Sequence, residues 1–244
     1  MTVALREAWR TVVPDRNDRH GPLQPLMLVL TVVTGLVDAF SYLSLGHVFV
    51  ANMTGNVVFG GFAIAGVGGF SLVATVVALA AFAGGALLGG RVIRRGEAHR
   101  AGILYRALVV EVLLVGAAFV VAELSGTPGQ DGTRYPLLVL LGLGLGVQNA
   151  TARSLAVPDL TTTVLTLTIT GTAADSRLAG GPGSRAGRRL LSAAAMFLGG
   201  LIGALLLHSG RHAAPLLIAT VLLAVACITA RRLARSRAPW TQAP

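Results

Sequence analysis

The chain has 244 residues, 54% hydrophobic and 12% charged, with mean hydropathy +0.73. Soluble domains carry about a quarter charged residues, so there is too little polar surface here to coat a water-soluble globule. A soluble enzyme, a disordered chain and a disulfide scaffold all fit poorly; the composition is that of an all-α, polytopic membrane helix bundle.

The net charge is +10 and the pI about 11.5, which in a soluble protein points to nucleic acid. Here every basic residue is Arg, and the Arg residues cluster beside long apolar stretches. That is the placement of topology signals, so the expected partner is the lipid bilayer and not nucleic acid. The lone Cys227 lies in an apolar run and provides neither a disulfide framework nor a CxxC metal site.

Residues 1–22 are polar, carry Arg6, Arg10, Arg16 and Arg19, and are expected as a cytoplasmic segment. Residues 23–234 form one membrane domain and residues 235–244 a cytoplasmic tail. The apolar run after residue 22 has no clear signal-peptidase site and reads as a retained first span. A crossing helix needs about 20 mostly apolar residues. Six segments meet this: Leu23–Leu45, Phe70–Arg91, Ile103–Leu124, Tyr135–Val157, the shorter Leu190–His208, and Ala213–Ala230. Two others are too short or too polar: Val48–Val67, which contains Asn52-Met-Thr-Gly-Asn56, and the Thr-rich Leu160–Ala174. With six crossings and a cytoplasmic N-terminus, the Arg clusters before the first span, at Arg91–Arg106, at Arg177–Arg189 and at Arg231–Arg237 all fall inside. Full crossing by either or both short segments breaks this rule at least once. The expectation is six spans in the cell membrane, both termini cytoplasmic, plus two re-entrant or surface-lying segments.

The chain also resembles itself. Gly35-Leu-Val-Asp38-Ala39 is echoed by Gly146-Val-Gln-Asn149-Ala150, Thr54 falls over Thr166, and Phe82-Ala-Gly-Gly85 matches Phe197-Leu-Gly-Gly200. Each half, 23–124 and 135–234, holds three spans. Because three is odd, the second half enters from the opposite side, giving a 3+3 inverted repeat, an architecture that recurs in transporters. Small-xxx-small pairs at Gly85/Gly89, Gly142/Gly146 and Gly199/Gly203 suit close helix packing within one chain; a homo-oligomer face is the alternative.

The residues Gly35-Leu-Val-Asp38-Ala39, Tyr42-Leu-Ser-Leu-Gly46, Val48-Phe49 and Asn52-Met-Thr-Gly-Asn56 carry a family resemblance, joined by Gly146-Val-Gln-Asn149-Ala150 with Arg153. On them the chain resembles the YoaK-like family of bacterial integral membrane proteins, a domain of unknown function, over about residues 25–235. The resemblance implies fold and location more than chemistry; permease function in such families is argued from architecture.

Polar residues inside apolar spans are the candidates for function. Asp38 lies about 22 Å into the first span. It reads either as a substrate or proton group, or as a structural Asp that caps a helix break or bonds Tyr42. Glu111 sits mid-span, free or neutralised by Arg106 or Arg153. Gln148, Asn149 and Arg153 make a polar face; Arg153 either snorkels or turns inward as a gate. Asn52, Thr54, Gly55 and Asn56 read as a helix start aimed at the midplane, or as an ordinary turn. Thr166 and Thr168 are their counterparts. A polar pocket is expected between Asp38 and Asn149. His47, His208 and His212 lack metal-site spacing, no Walker A motif is present, and no catalytic set or cofactor is expected. The leading function is a permease or channel-like transporter of a small polar solute, with coupling to protons; the rival is a non-transporting sensor or partner-binding subunit.

Overall fold

The computed structural model describes residues 3–15, 18–94, 99–126, 132–160, 162, 165–174, 180, 186–236 and 238–241. Among them the chain forms nine α-helices and no strand: α1 (Val3–Val12), α2 (Leu23–Ser44), α3 (Met53–Ile64), α4 (Leu72–Arg94), α5 (Arg100–Ser125), α6 (Arg134–Leu155), α7 (Leu165–Ala174), α8 (Ala186–His208) and α9 (Ala214–Leu233). A short 3-10 turn follows at Pro239–Thr241. Runs of Leu, Val and Ala make α2, α4, α5, α6, α8 and α9 long and apolar enough to cross a membrane. Helices satisfy their own backbone groups, as lipid requires. The protein is therefore a multi-pass membrane protein. Left-handed backbone stops several helices: Gly126 (φ 66°) ends α5 and Ala156 (φ 47°) ends α6.

Two described helices are shorter than a crossing needs. α3 has 12 residues and the described α7 has 10, about 18 and 15 Å at 1.5 Å per residue, against a hydrocarbon slab of about 30 Å. Each follows the first long helix of its half. α1 falls within the segment expected to be merely polar. Its amphipathic pattern leaves Leu5, Trp9 and Val12 exposed, while Glu7 Oε2 accepts the Gly187 N–H at the start of α8.

The packing has an exchange pattern. α2 packs on α8 and α6 on α4; α2 also packs on α9 and α6 on α5; α5 meets α9. Swapping the halves interchanges the first two contacts, interchanges the next two, and turns the α5/α9 contact into itself. The correspondence extends to single atoms around the glycines. A Cβ on Gly35 would meet the Met196 carbonyl and Gly200 N, and one on Gly146 would meet the Phe82 carbonyl and Ala86 N. A Cβ on Gly199 would strike the Val32 carbonyl, and one on Gly85 the Leu143 carbonyl. Gly203 faces Leu36 and Ala39; Gly89 faces Val147 and Ala150. These contacts equate Gly35 with Gly146 and Ala39 with Ala150. They also equate Gly85 with Gly199, so the sequence match of Phe82–Gly85 onto Phe197–Gly200 is displaced by one residue. Gly200 shows why, because nothing lies within 4 Å of its Cβ position.

In both glycine-lined pairs the contacts advance together along the two chains, so α2 runs parallel to α8 and α4 parallel to α6. Two three-helix bodies result. One joins α2 to α8 and α9; the other joins α6 to α4 and α5. They meet through α5 and α9 and, more lightly, through α2 and α6.

Candidate functional site

The polar residues singled out in the sequence, with Thr34, fall into three places. The first is the corner between α2 and α3. Asp38 lies six residues before the end of α2, yet its Oδ1 accepts the backbone N–H groups of Val50 (3.0 Å) and Ala51 (2.9 Å). Oδ2 accepts from Asn52 Nδ2 at 2.5 Å. The chain leaving α2 therefore turns back along it by about 9 Å before α3 begins. Asn56 secures the returning segment: its Oδ1 accepts the Phe49 N–H (2.9 Å) and its Nδ2 donates to the Phe49 carbonyl (2.6 Å). Gly55 leaves room for the Phe49 ring, which stacks on Tyr42 with centroids 4.8 Å apart. Thr54 points outward and is exposed. Asp38 thus caps the break before α3, where the helix dipole favours an anion; its partners are backbone amides and Asn52, and not Tyr42.

The second place lies between α2, α5 and α6. Thr34 and Glu111 each stand eleven residues from the starts of their helices, Leu23 and Arg100, about 16 Å in and so near the middle of the slab. Gln148 Nε2 donates to Thr34 Oγ1 at 2.8 Å, and Thr34 Oγ1 donates to the Leu30 carbonyl at 2.9 Å. Glu111 and Gln148 are both 1% exposed. Glu111 Oε1 and Gln148 Oε1 are buried without a hydrogen-bond partner. Glu111 Cγ lies 3.9 Å from the Cβ position of Gly144, one turn from Gln148 on the same face of α6. Neither Arg106 nor Arg153 neutralises Glu111; among the described residues the ion pair is Arg189–Asp159, at 2.9 Å. Thr34 escaped the sequence reading, because a Thr in an apolar helix ordinarily bonds only the carbonyl four residues back.

The third place is a cavity of about 720 Å³ between α4 and α6, lined by Phe82, Ala86, Gly90, Arg94, Asn149 and Arg153 among others. Asn149 Nδ2 donates to the Leu145 carbonyl at 3.0 Å, and Arg153 is exposed. The cavity wall does not include Asp38 or Asn52. Among the described residues, Asp38 and Asn149 thus stand in separate places and not on one cavity wall. The side chains of Thr166 and Thr168 lie outside the described residues.

At the Arg-rich end, buried Arg100 ties the chain ends together. It donates to the carbonyls of Arg19 (3.2 Å), Trp240 (3.4 Å) and Leu155, the last at the C-terminus of α6. Arg100 Nη2 also lies 3.2 Å from His20 Nδ1, which accepts because Arg has only donors. Burial, then the Arg100 charge, hold the His20 imidazole below its usual value. No metal-ligating cluster occurs among the described residues.

Comparison with known proteins agrees with this architecture. A family model described as protein of unknown function (DUF1275) matches residues 26–229, and the chain belongs to that family. The chain is similar to the UPF0700 transmembrane protein YoaK of Bacillus subtilis (strain 168), 35% identical over 150 residues, 59% of this chain and 63% of the relative. The match thus spans less than two thirds of the relative's length. No solved structure matches.

Proposed function

We propose that this member of the DUF1275 family is a secondary permease for a small polar solute, placed in the cell membrane with both termini cytoplasmic. The observation that carries the reading is the exchange pattern. Two glycine-packed helix pairs, α2/α8 and α4/α6, each combine one helix from either half, and a short helix follows the first long helix of each half. With three crossings per half, that pattern supports an inverted repeat about an axis in the membrane plane, and transporters of this build place their sites near the midplane at the repeat interface. The Thr34–Gln148–Glu111 group stands there. Its hydrogen bond from α6 to α2 crosses between the two bodies. The closest glycine contacts lie within each pair, so this reading assigns relative motion to the faces between the two bodies, the broad α5/α9 face and the light α2/α6 one. Asp38 has no part in solute handling in this reading, since its oxygens are taken by the α3 break; it positions the short helix. This reading assigns the group to solute and proton handling and not to catalysis.

The test uses a Cys227→Ser background carrying Thr34→Cys. A membrane-impermeant maleimide is applied to right-side-out and inverted vesicles. A permease exposes position 34 to water as the bodies part, so the reagent labels the cysteine from at least one side. A non-transporting scaffold keeps it closed from both, and that result rejects the reading.

A further inference from the structure

The geometry points to a proton-binding site made by Glu111 and Gln148, in which the neutral Glu111 acid donates its O–H to Gln148 Oε1. Two buried oxygens without partners lie in this part of the bundle, and an unpaired buried acceptor is costly in a medium without water. The helix directions bring them together. Side chains lean toward the N-terminus of their own helix. α5 begins at Arg100 on the Arg-rich end, so Glu111 leans toward that end. α6 finishes at that end, so Gln148 leans away from it, toward Glu111. Glu111 lies beside Gly144, one turn further from the Arg-rich end than Gln148. As a carboxylate and an amide carbonyl the two oxygens repel. One proton on Glu111 Oε1 turns that repulsion into a hydrogen bond and satisfies both.

No described group forms an ion pair with Glu111; Arg106, five residues earlier on α5, has its Nε and Nη2 buried without a hydrogen-bond partner but is not paired with it. On the helices packed against α5, Arg91 and Arg94 stand at the end of α4, Arg134, Tyr135 and Arg153 toward the ends of α6, and Cys227, Arg231 and Arg232 in the last two turns of α9. Asp38 is held at the α3 break. On α5 itself, Arg100, Tyr105, Arg106 and Glu123 lie at other levels, and none forms an ion pair with Glu111. Because Gln148 also holds Thr34 on the other body, the loaded proton joins α5, α6 and α2, and its loss sets two acceptors against each other at that junction. The consequence for transport, that the proton is the coupling ion, rests on the permease reading; the proton site itself does not.

The experiment treats the purified full-length protein in detergent with dicyclohexylcarbodiimide, which modifies protonated carboxyl groups in apolar surroundings, over a series of pH values. Peptide mass mapping of the unmodified sequence is expected to find the label on Glu111, falling as pH rises, and not on Asp38. Glu111→Gln, whose amide N–H replaces the acid O–H toward Gln148, is expected to fold and to lose the label. Infrared spectra add a readout of the bond itself. The protonated-carboxyl band, absent in Glu111→Gln, moves to higher frequency in Gln148→Leu because its O–H partner is gone. An unlabelled Glu111 at every pH, or an unmoved band in Gln148→Leu, overturns the site. Protection of Glu111 by sodium at fixed pH overturns it in favour of a metal cation. A labelled Glu111 together with a Thr34→Cys closed to maleimide rejects transport and leaves the proton site standing.

Discussion

A carboxylate inside a bilayer keeps its charge only if donors replace its water. Asp38 has three such donors in Val50, Ala51 and Asn52; Glu111 has none among the described residues. Asp38→Asn turns an N–H₂ toward either the two backbone amides or Asn52 Nδ2, and a donor then opposes a donor. We expect it to cost about 2 kcal/mol or more and to lower the folded fraction on size-exclusion chromatography after heating. Asp38 and Glu111 stand out in the sequence equally, as single acids within apolar runs. Their difference does not, because the donors that tie down Asp38 belong mainly to the backbone, and backbone amides look alike at every residue. Asn52 and Asn56 were legible as a break in an apolar stretch, but their bonds to Asp38 and to Phe49 depend on a reversal that only coordinates reveal.

Among the elements, the six long helices were legible because about 20 apolar residues have one cheap solution in lipid. α3 and α7 were legible as stretches that fail that test. α1 was not, since ten residues with scattered Arg read as polar until their spacing on a helix sorts Leu5, Trp9 and Val12 onto one side. The glycine faces were legible as small-xxx-small pairs, but the residue in contact was not, because Gly84-Gly85 and Gly199-Gly200 offer two choices each. The structure distinguishes them. Gly199→Ala is expected to force α8 from the Val32 carbonyl of α2, a backbone group that cannot swing aside. That costs about 1–3 kcal/mol as overpacking. Gly200→Ala meets nothing within 4 Å and leaves the unfolding temperature near that of the parent. Measured side by side, equal effects of the two changes refute the assigned contact.

For the whole molecule, the proposed orientation rests on charge. The N-terminal segment, the start of α5 and the 3-10 turn meet at Arg100, and with Arg clusters beside them the positive-inside rule favours the cytoplasm for that end. Alkaline phosphatase, active only outside, is therefore expected to be silent when fused after Pro244; an active fusion contradicts the orientation. The permease reading depends on this less than on the exchange pattern, which has the same form whichever end faces in.

The two bodies are unequal in one respect, the order in which a ribosome makes them. The body of α4, α5 and α6 is one unbroken stretch of chain, complete before α7 is synthesised. The other begins with α2 and waits for α8 and α9, so the first-made body is threaded into the middle of the second. Asp38 finds its donors within fourteen residues, whereas Gly35 meets Met196 only near the end. Contacts so distant along a chain form late. The α2/α8 seam is thus a late step of biogenesis, followed only by the docking of α9, and a weakened glycine there leaves α2 an unclaimed first helix for quality-control proteases to find.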